Sequence, residues 1–199
     1  MKKSDLPFGS EFSPSQIELP HVLKLADEHG GDWHAFEDAV RATYFGSHGA
    51  GDDEKAAYNR GKLANNTKLG MIAYGIIERD AMLTEFGQEL LALADDEPKL
   101  YEALAKHILL NLNGMTMMRC IQDMVAAGEV VNLTTLRDGL KERGVHFPRG
   151  GKHPSMMRLW LAKAGRWDDS HDLCQDVPDP AGAWIHAYLH REEGDLGNA

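Results

Sequence analysis

The stretch EPKLYEALAKHILLNLNGMTMMRCIQDMVAAG, residues 97–128, decides the fold class of this chain. Leu100, Leu104 and Ile108 recur at a spacing of four residues, which places them on one face of an α-helix. Gly128 favours the end of a second helix. Because alternating runs rich in Val, Ile and Thr are almost absent elsewhere, we predict a mainly α protein.

The same helical spacing extends in both directions from this stretch. Ser13-Pro14-Ser15 is interpreted as the capped start of the first helix, and Asp32 and Thr84 as caps of later ones. The buried stripe of the third helix is predicted at Leu69, Ile72, Ala73 and Ile76. The predicted helices cover about 17–29, 33–44, 59–77, 85–94, 98–112, 115–127, 133–143, 154–164 and 181–192.

The length of 199 residues suits one domain of ordinary size or two small ones. The polar break at Asp95-Asp96-Glu97-Pro98 places the boundary between domains 1–96 and 97–199. Apolar residues make up 43% of the chain and charged residues 26%, which is typical of globular proteins.

No apolar run reaches the roughly 18 residues of a membrane helix, and the first residues lack the apolar core of a secretory signal. We therefore expect no membrane partner. Cys120 and Cys174 have no metal-like spacing, so a disulfide framework is not expected and a cytoplasmic location is predicted.

Each half contains a support helix, a loop and then a helix with basic residues, which is the plan of a helix-turn-helix module. The second helix of that module enters the major groove of double-stranded DNA. The candidate DNA-binding residues of the first half are Arg60, Lys62, Asn65, Asn66 and Lys68. Those of the second half are Arg149, Lys152, His153, Ser155 and Arg158.

The residue types at these positions suit contacts with DNA. Asparagine pairs with adenine, and arginine and lysine reach guanine edges or phosphates. Serine and the backbone N–H groups at a helix start are typical phosphate donors. Gly150 and Gly151, between two cations, let the backbone approach a phosphate closely.

The net charge of −10 argues against a nucleic-acid partner when it is taken as a whole. Its distribution argues differently. Residues 141–166 hold seven basic residues and Glu142, a net +6, and residues 60–79 hold four basic residues and Glu78, a net +3. The positive charge is therefore concentrated at the two candidate DNA helices, while the rest of the chain carries −19.

Two phrases of the sequence resemble a known class of protein. Residues 69–77, followed by Leu83-Thr84-Glu85-Phe86-Gly87 and residues 88–93, resemble the end of a winged-helix recognition helix, its wing and the closing helix. Residues 150–161 resemble a second such module. Together, over about 15–167, they are similar to the tandem winged-helix DNA-recognition modules of restriction-type and phage-defence proteins. This resemblance implies two winged-helix-like units with short β-wings. It also implies that a nuclease or motor activity belongs to a separate region or a partner subunit.

The sequence offers few catalytic candidates, and we predict no catalytic centre, cofactor or metal site. Asp95 with Glu97-Pro98-Lys99 imitates a metal-nuclease set, but Pro98 is incompatible with the central strand that such a set requires. His186 and His190 share a helix face and are the alternative metal pair.

Other interpretations stay open at this point. A basic helix face is often merely solvated, and winged helices also serve as adaptors between proteins without touching DNA. Trp160 fits a core position better than a base-stacking one, because Met157 and Leu161 share its face. The acidic stretch 168–199, with eight acids against Arg191, would serve an adaptor or would screen the basic helices.

Overall fold

The computed structural model describes residues 3–46 and 54–164, with no account of the side chains of 54–56. Eight helices form in this part of the chain, which confirms the mainly α prediction. They are α1 (Leu19–His29), α2 (Trp33–Tyr44), α3 (Glu54–Ala73), α4 (Glu85–Ala92), α5 (Glu97–Asn111), α6 (Gly114–Ala126), α7 (Leu133–Glu142) and α8 (His153–Ala164). The predicted helix at 181–192 lies outside the described residues.

The contacts divide the chain into two compact units. The N-terminal unit is Pro7–Leu100, and the described part of the C-terminal unit is residues 3–6 and 101–164. The division falls within α5, where Leu100 and Tyr101 are both buried. In the N-terminal unit α2 packs against α1 and α3, and α1 also packs against α4. In the C-terminal unit α6 packs against α7.

Local hydrogen bonds explain where several helices begin and end. The Asp32 carboxylate accepts from the backbone N–H groups of His34 and Ala35 at the start of α2, as its residue type predicts. Asn132 and Thr135 form a reciprocal capping box at the start of α7. The helix that precedes this box, α6, ends at Ala126, and the chain turns at Gly128, whose φ of 73° is strained for other residues.

The first helix begins later than predicted. Ser13-Pro14-Ser15 forms a turn instead, in which the Ser13 carbonyl accepts from the N–H groups of Gln16 and Ile17. The helix starts at Leu19, since Pro20 in its first turn is already constrained to a helical φ.

The third helix also differs from its prediction. It ends at Ala73, because Gly75 turns the chain with a φ of 72°. Leu69 is 42% exposed, whereas Thr67, Lys68 and Met71 are buried. The predicted buried stripe is therefore wrong at Leu69, whereas Ile72 and Ala73 are half-buried and Ile76, which lies just beyond the helix, is buried as predicted. The spacing of aliphatic residues along the helix could not show that Lys68 is buried, because its burial depends on an ion pair with Glu37 of another helix.

The link between α3 and α4 is the only place in the described residues where β pairing occurs. Ile77 and Leu83 form one isolated antiparallel bridge, and residues 3–46 and 54–164 contain no strand. Thr84 caps α4 by accepting from the Gly87 N–H at 3.0 Å, and its hydroxyl donates to the Gly75 carbonyl at 2.6 Å. A Cβ at position 87 would overlap the Ile76 carbonyl oxygen. The Leu-Thr-x-x-Gly motif is thus explained by the structure. Its threonine caps α4, and its glycine lets the backbone of α4 approach that of Ile76 closely.

The first described residues belong to the C-terminal unit, which the sequence did not indicate. The Asp5 N–H donates to the His146 carbonyl at 2.7 Å, and the His146 N–H donates to the Asp5 carboxylate at 2.7 Å. The Asn113 side-chain amide donates to the Asp5 carbonyl at 2.9 Å, and Leu6 is buried. This segment therefore holds the α7–α8 loop in place.

No helix in the described part of the chain combines the length and the apolar character needed to cross a bilayer.

Candidate nucleic-acid interface

Helix α8 has two faces of different chemistry. Met157 and Trp160 are buried, and the Trp160 ring lies 6.3 Å from that of Tyr101 in a stacked arrangement. Lys152, immediately before the helix, and Arg158 are exposed, with Ser155 half-buried between them. Positions three apart on a helix share a face, so the outward surface carries two cations and a hydroxyl. The core assignment of Trp160 is confirmed.

The loop that leads into α8 adds a third exposed cation. Arg149 is exposed, and the chain turns beside it where the Gly151 N–H donates to the Pro148 carbonyl at 2.9 Å. Gly150 has a φ of 76°, a conformation that glycine adopts without steric cost. Phe147 is buried and anchors the loop. We name the surface of Arg149, Lys152, Ser155 and Arg158 the α8 basic face.

His153, a predicted DNA contact, is not on the α8 basic face. Its side chain is buried, and its ring lies 6.1 Å from the Phe147 ring. Its position follows from helix geometry, because residue 153 lies four positions before Met157 and therefore shares the buried face. Burial lowers the pKa of His153 below its ordinary value, since the charged ring loses its hydration.

This burial predicts a pH dependence of stability. In the unfolded chain His153 takes up a proton near its ordinary pKa of 6.5, whereas in the folded chain it does so only at lower pH. The stability present above pH 6.5 is therefore lost as the pH falls through the folded pKa. We expect the urea midpoint of the C-terminal unit to fall between pH 7.5 and 5.5, and to fall less in His153→Gln. An equal fall in both proteins would contradict this assignment.

The candidate residues of α3 are less uniform than those of α8. Lys62 is exposed, while Arg60, Asn65 and Asn66 are half-buried. Lys68 is 7% exposed and turned inward. Its ammonium lies 2.5 Å from the Glu37 carboxylate on α2 and 4.0 Å from the centre of the Trp33 ring. The pair joins α2 to α3, so Lys68 is not available at the surface, and Lys62 is the exposed cation among the candidates of this helix.

Loss of one partner of this pair should destabilise the N-terminal unit. Lys68→Met leaves the Glu37 carboxylate, whose side chain is 18% exposed, without its cation. We expect a loss of about 2 kcal/mol in the free energy of unfolding, below the range for a fully buried pair. Urea denaturation measures it. The double variant Lys68→Met/Glu37→Leu should recover part of the loss, and a double variant less stable than the single one would contradict the account.

Two further basic residues near α8 have structural contacts. Arg143 donates to the Asp123 carboxylate at 2.6 Å and to the Gly139 carbonyl at 3.0 Å, and the bond to Asp123 raises its pKa. Lys163 lies 5.3 Å from the centre of the Tyr101 ring. These contacts hold α6 to α7 and α8 to α5. We therefore leave Arg143 and Lys163 out of the α8 basic face.

The weak catalytic candidates have structural roles where they are described. Glu97 and Pro98 form the first turn of α5, and Lys99 pairs with Asp96 at 2.7 Å. The hydrogen bond from Lys99 lowers the pKa of Asp96. Burial raises the pKa of Cys120, which keeps this thiol protonated and weakly nucleophilic. His186, His190 and Cys174 lie outside the described residues.

Among the described residues, no group of three or more His, Cys, Asp or Glu side chains is arranged to hold a metal ion.

Comparison with known proteins found no matching family model, and no significant match among curated proteins or solved structures.

Sequence reasoning missed two features of this region. One is the Asp5–His146 pairing that fixes the loop before α8. Its residues are 141 positions apart, and no local pattern links them. The other is the Trp33–Glu37–Lys68 cluster. A signal for it existed, because Trp33 and Glu37 are four apart on one face of a predicted helix.

Proposed function

We propose that this protein binds double-stranded DNA through the α8 basic face. The observation that carries the proposal is the alignment of Lys152, Ser155 and Arg158 on the outward side of a helix whose inward side is fixed by Trp160. Arg149 extends the positive surface into the preceding loop. A helix with cations near its N-terminal end suits the major groove, where arginine and lysine reach guanine edges and phosphates.

The helix order of each unit supports a winged-helix-like interpretation of the fold. In the N-terminal unit α1, α2 and α3 precede the Ile77–Leu83 bridge, and in the C-terminal unit α6, α7 and α8 follow one another along the chain. In both, the middle helix begins at a side-chain cap, Asp32 or Asn132. We propose two helix-turn-helix modules, of which the C-terminal one makes the main DNA contact. Lys62, Asn65 and Asn66 of the first are secondary contacts.

The test is binding of mixed-sequence duplex DNA at several salt concentrations. Three phosphate contacts, from Arg149, Lys152 and Arg158, give a slope of log affinity against log salt of about −2.7. Affinity should then fall about 40-fold between 50 and 200 mM salt. No binding at low salt, or binding that does not depend on salt, would overturn the proposal.

A second candidate function, an adaptor between proteins, is favoured by a different observation. Val130 and Val131, in the connection between α6 and α7, and Leu133, the first residue of α7, are exposed, with Val130 at 75%. Exposed aliphatic side chains that lie close together are typical of protein interaction sites. Val130→Asp/Val131→Asp should leave DNA affinity unchanged under the DNA proposal. Absence of duplex DNA binding by the natural chain at low salt would favour the adaptor function instead.

We also propose that this recognition unit works with a partner subunit, a nuclease or a motor, in a restriction or phage-defence system. The support is the sequence resemblance, together with catalytic candidates that have structural roles wherever they are described. A test is whether the purified protein alone binds duplex DNA without cutting it in the presence of Mg²⁺. Cleavage that is lost in a Glu97→Gln variant would contradict the proposal.

A further inference from the structure

The chain that follows α8 has a charge opposite to that of the α8 basic face. Residues 168–199 carry eight acids and Arg191, a net −7. We name this stretch the acidic segment. It lies outside the described residues, so only its sequence enters the argument. Five of its acids fall within twelve positions, Asp168, Asp169, Asp172, Asp176 and Asp179.

We propose that the acidic segment binds the α8 basic face in the absence of DNA and is displaced when DNA binds. This inference rests on the proposed DNA-binding function, since it assigns a second, internal ligand to the same surface. A carboxylate accepts charge-assisted hydrogen bonds from arginine and lysine as a phosphate oxygen does. One surface therefore suits both ligands, and they compete for it.

The length of the chain allows this contact. Helix α8 ends at Ala164, four residues before the first acid of the segment. From Lys152 to Ala164 the helix spans about 18 Å at 1.5 Å per residue. Residues 168–179 reach up to about 40 Å when extended. The segment is therefore long enough to fold back along the whole exposed side of α8.

Tethering makes even a weak contact effective. Joining two groups through a short stretch of one chain gives an effective concentration in the millimolar range. An intrinsic dissociation constant of about 0.1 mM would then leave the α8 basic face occupied about 90% of the time. The apparent affinity for DNA would be lowered about tenfold, in proportion to the fraction of the surface left accessible.

The first experiment measures DNA affinity by fluorescence anisotropy with the full chain. In the tail variant, Asp168, Asp169, Asp172, Asp176 and Asp179 are replaced by asparagine. The matched control neutralises five exposed acids elsewhere, Asp27, Glu28, Glu78, Glu89 and Glu129. We expect about tenfold tighter binding for the tail variant and at most about twofold for the control. Equal affinities of the two variants would overturn the inference.

The second experiment does not depend on DNA binding, so the two proposals can fail separately. A zero-length carbodiimide reagent joins a lysine ammonium to a carboxylate that is in contact with it. We expect a crosslink within one chain between Lys152 and the acidic segment, which is lost at high salt and on addition of duplex DNA. If neither the natural chain nor the tail variant binds DNA, the DNA proposal fails and the crosslink alone decides this inference. Absence of the crosslink at low salt overturns it.

Discussion

Reversal of charge at Lys152 and Arg158 should weaken the binding of duplex DNA by about 100-fold or more. Each residue is exposed on the α8 basic face, and loss of one such contact costs about 1–3 kcal/mol. Glutamate at both positions adds repulsion from the phosphates. The Lys152→Glu/Arg158→Glu variant should fold normally, because neither side chain is in the core. Fluorescence anisotropy measures the effect at moderate salt, where the Debye length is about 10 Å.

The control for this prediction matches its change in net charge. Arg79 and Lys106 are exposed in other helices or loops, and Arg79→Glu/Lys106→Glu alters the total charge by the same amount. We expect this variant to lose no more than about threefold in affinity, which is the effect of the overall field at moderate salt. Similar losses of affinity in both variants would mean that DNA binding depends only on the total charge of the protein. That result would contradict a binding site on α8.

Substitution of Trp160 by alanine should destabilise the C-terminal unit by about 3–5 kcal/mol. Trp160 is 1% exposed, and its ring stacks beside Tyr101 at 6.3 Å. Removing the indole leaves a cavity between α5 and α8, because the two helix backbones cannot close over so large a volume. Urea denaturation followed by circular dichroism measures the loss.

Two variants test whether this loss comes from packing. Trp160→Phe keeps part of the aromatic volume and should lose less than Trp160→Ala. Leu110→Ala removes an apolar side chain that is 66% exposed and should change stability by no more than about 0.5 kcal/mol. A Trp160→Ala protein that keeps full stability but loses DNA affinity would instead assign Trp160 to the ligand.

The sequence predicted well those features that local patterns determine. Apolar spacing and turn residues located the described helices, and the caps at Asp32 and Thr84 are confirmed because an N-cap needs only residues two or three positions away. The bounds were less accurate. The late start of α1 depended on Pro20, and the early end of α3 depended on the turn at Gly75.

The candidate site was less predictable, because exposure depends on tertiary partners. Lys68 and Lys62 are the same residue type on the same helix, yet Lys68 is buried by Glu37 and Trp33 while Lys62 is exposed. His153 is buried because it shares a face with Met157. The exposure of Arg158 did follow from the sequence, since Trp160 and Met157 assign the opposite face to the core.

The most direct test of the central claim is photo-crosslinking from the surface of α8. Benzoylphenylalanine in place of Ser155 puts a reactive group between Lys152 and Arg158 on the α8 basic face. The same group in place of Leu110, which is exposed on α5, is the matched control. With duplex DNA at low salt, we predict a protein–DNA crosslink from position 155 and little or none from position 110. Equal crosslinking from both positions, or crosslinking from position 110 alone, would contradict DNA binding through the α8 basic face.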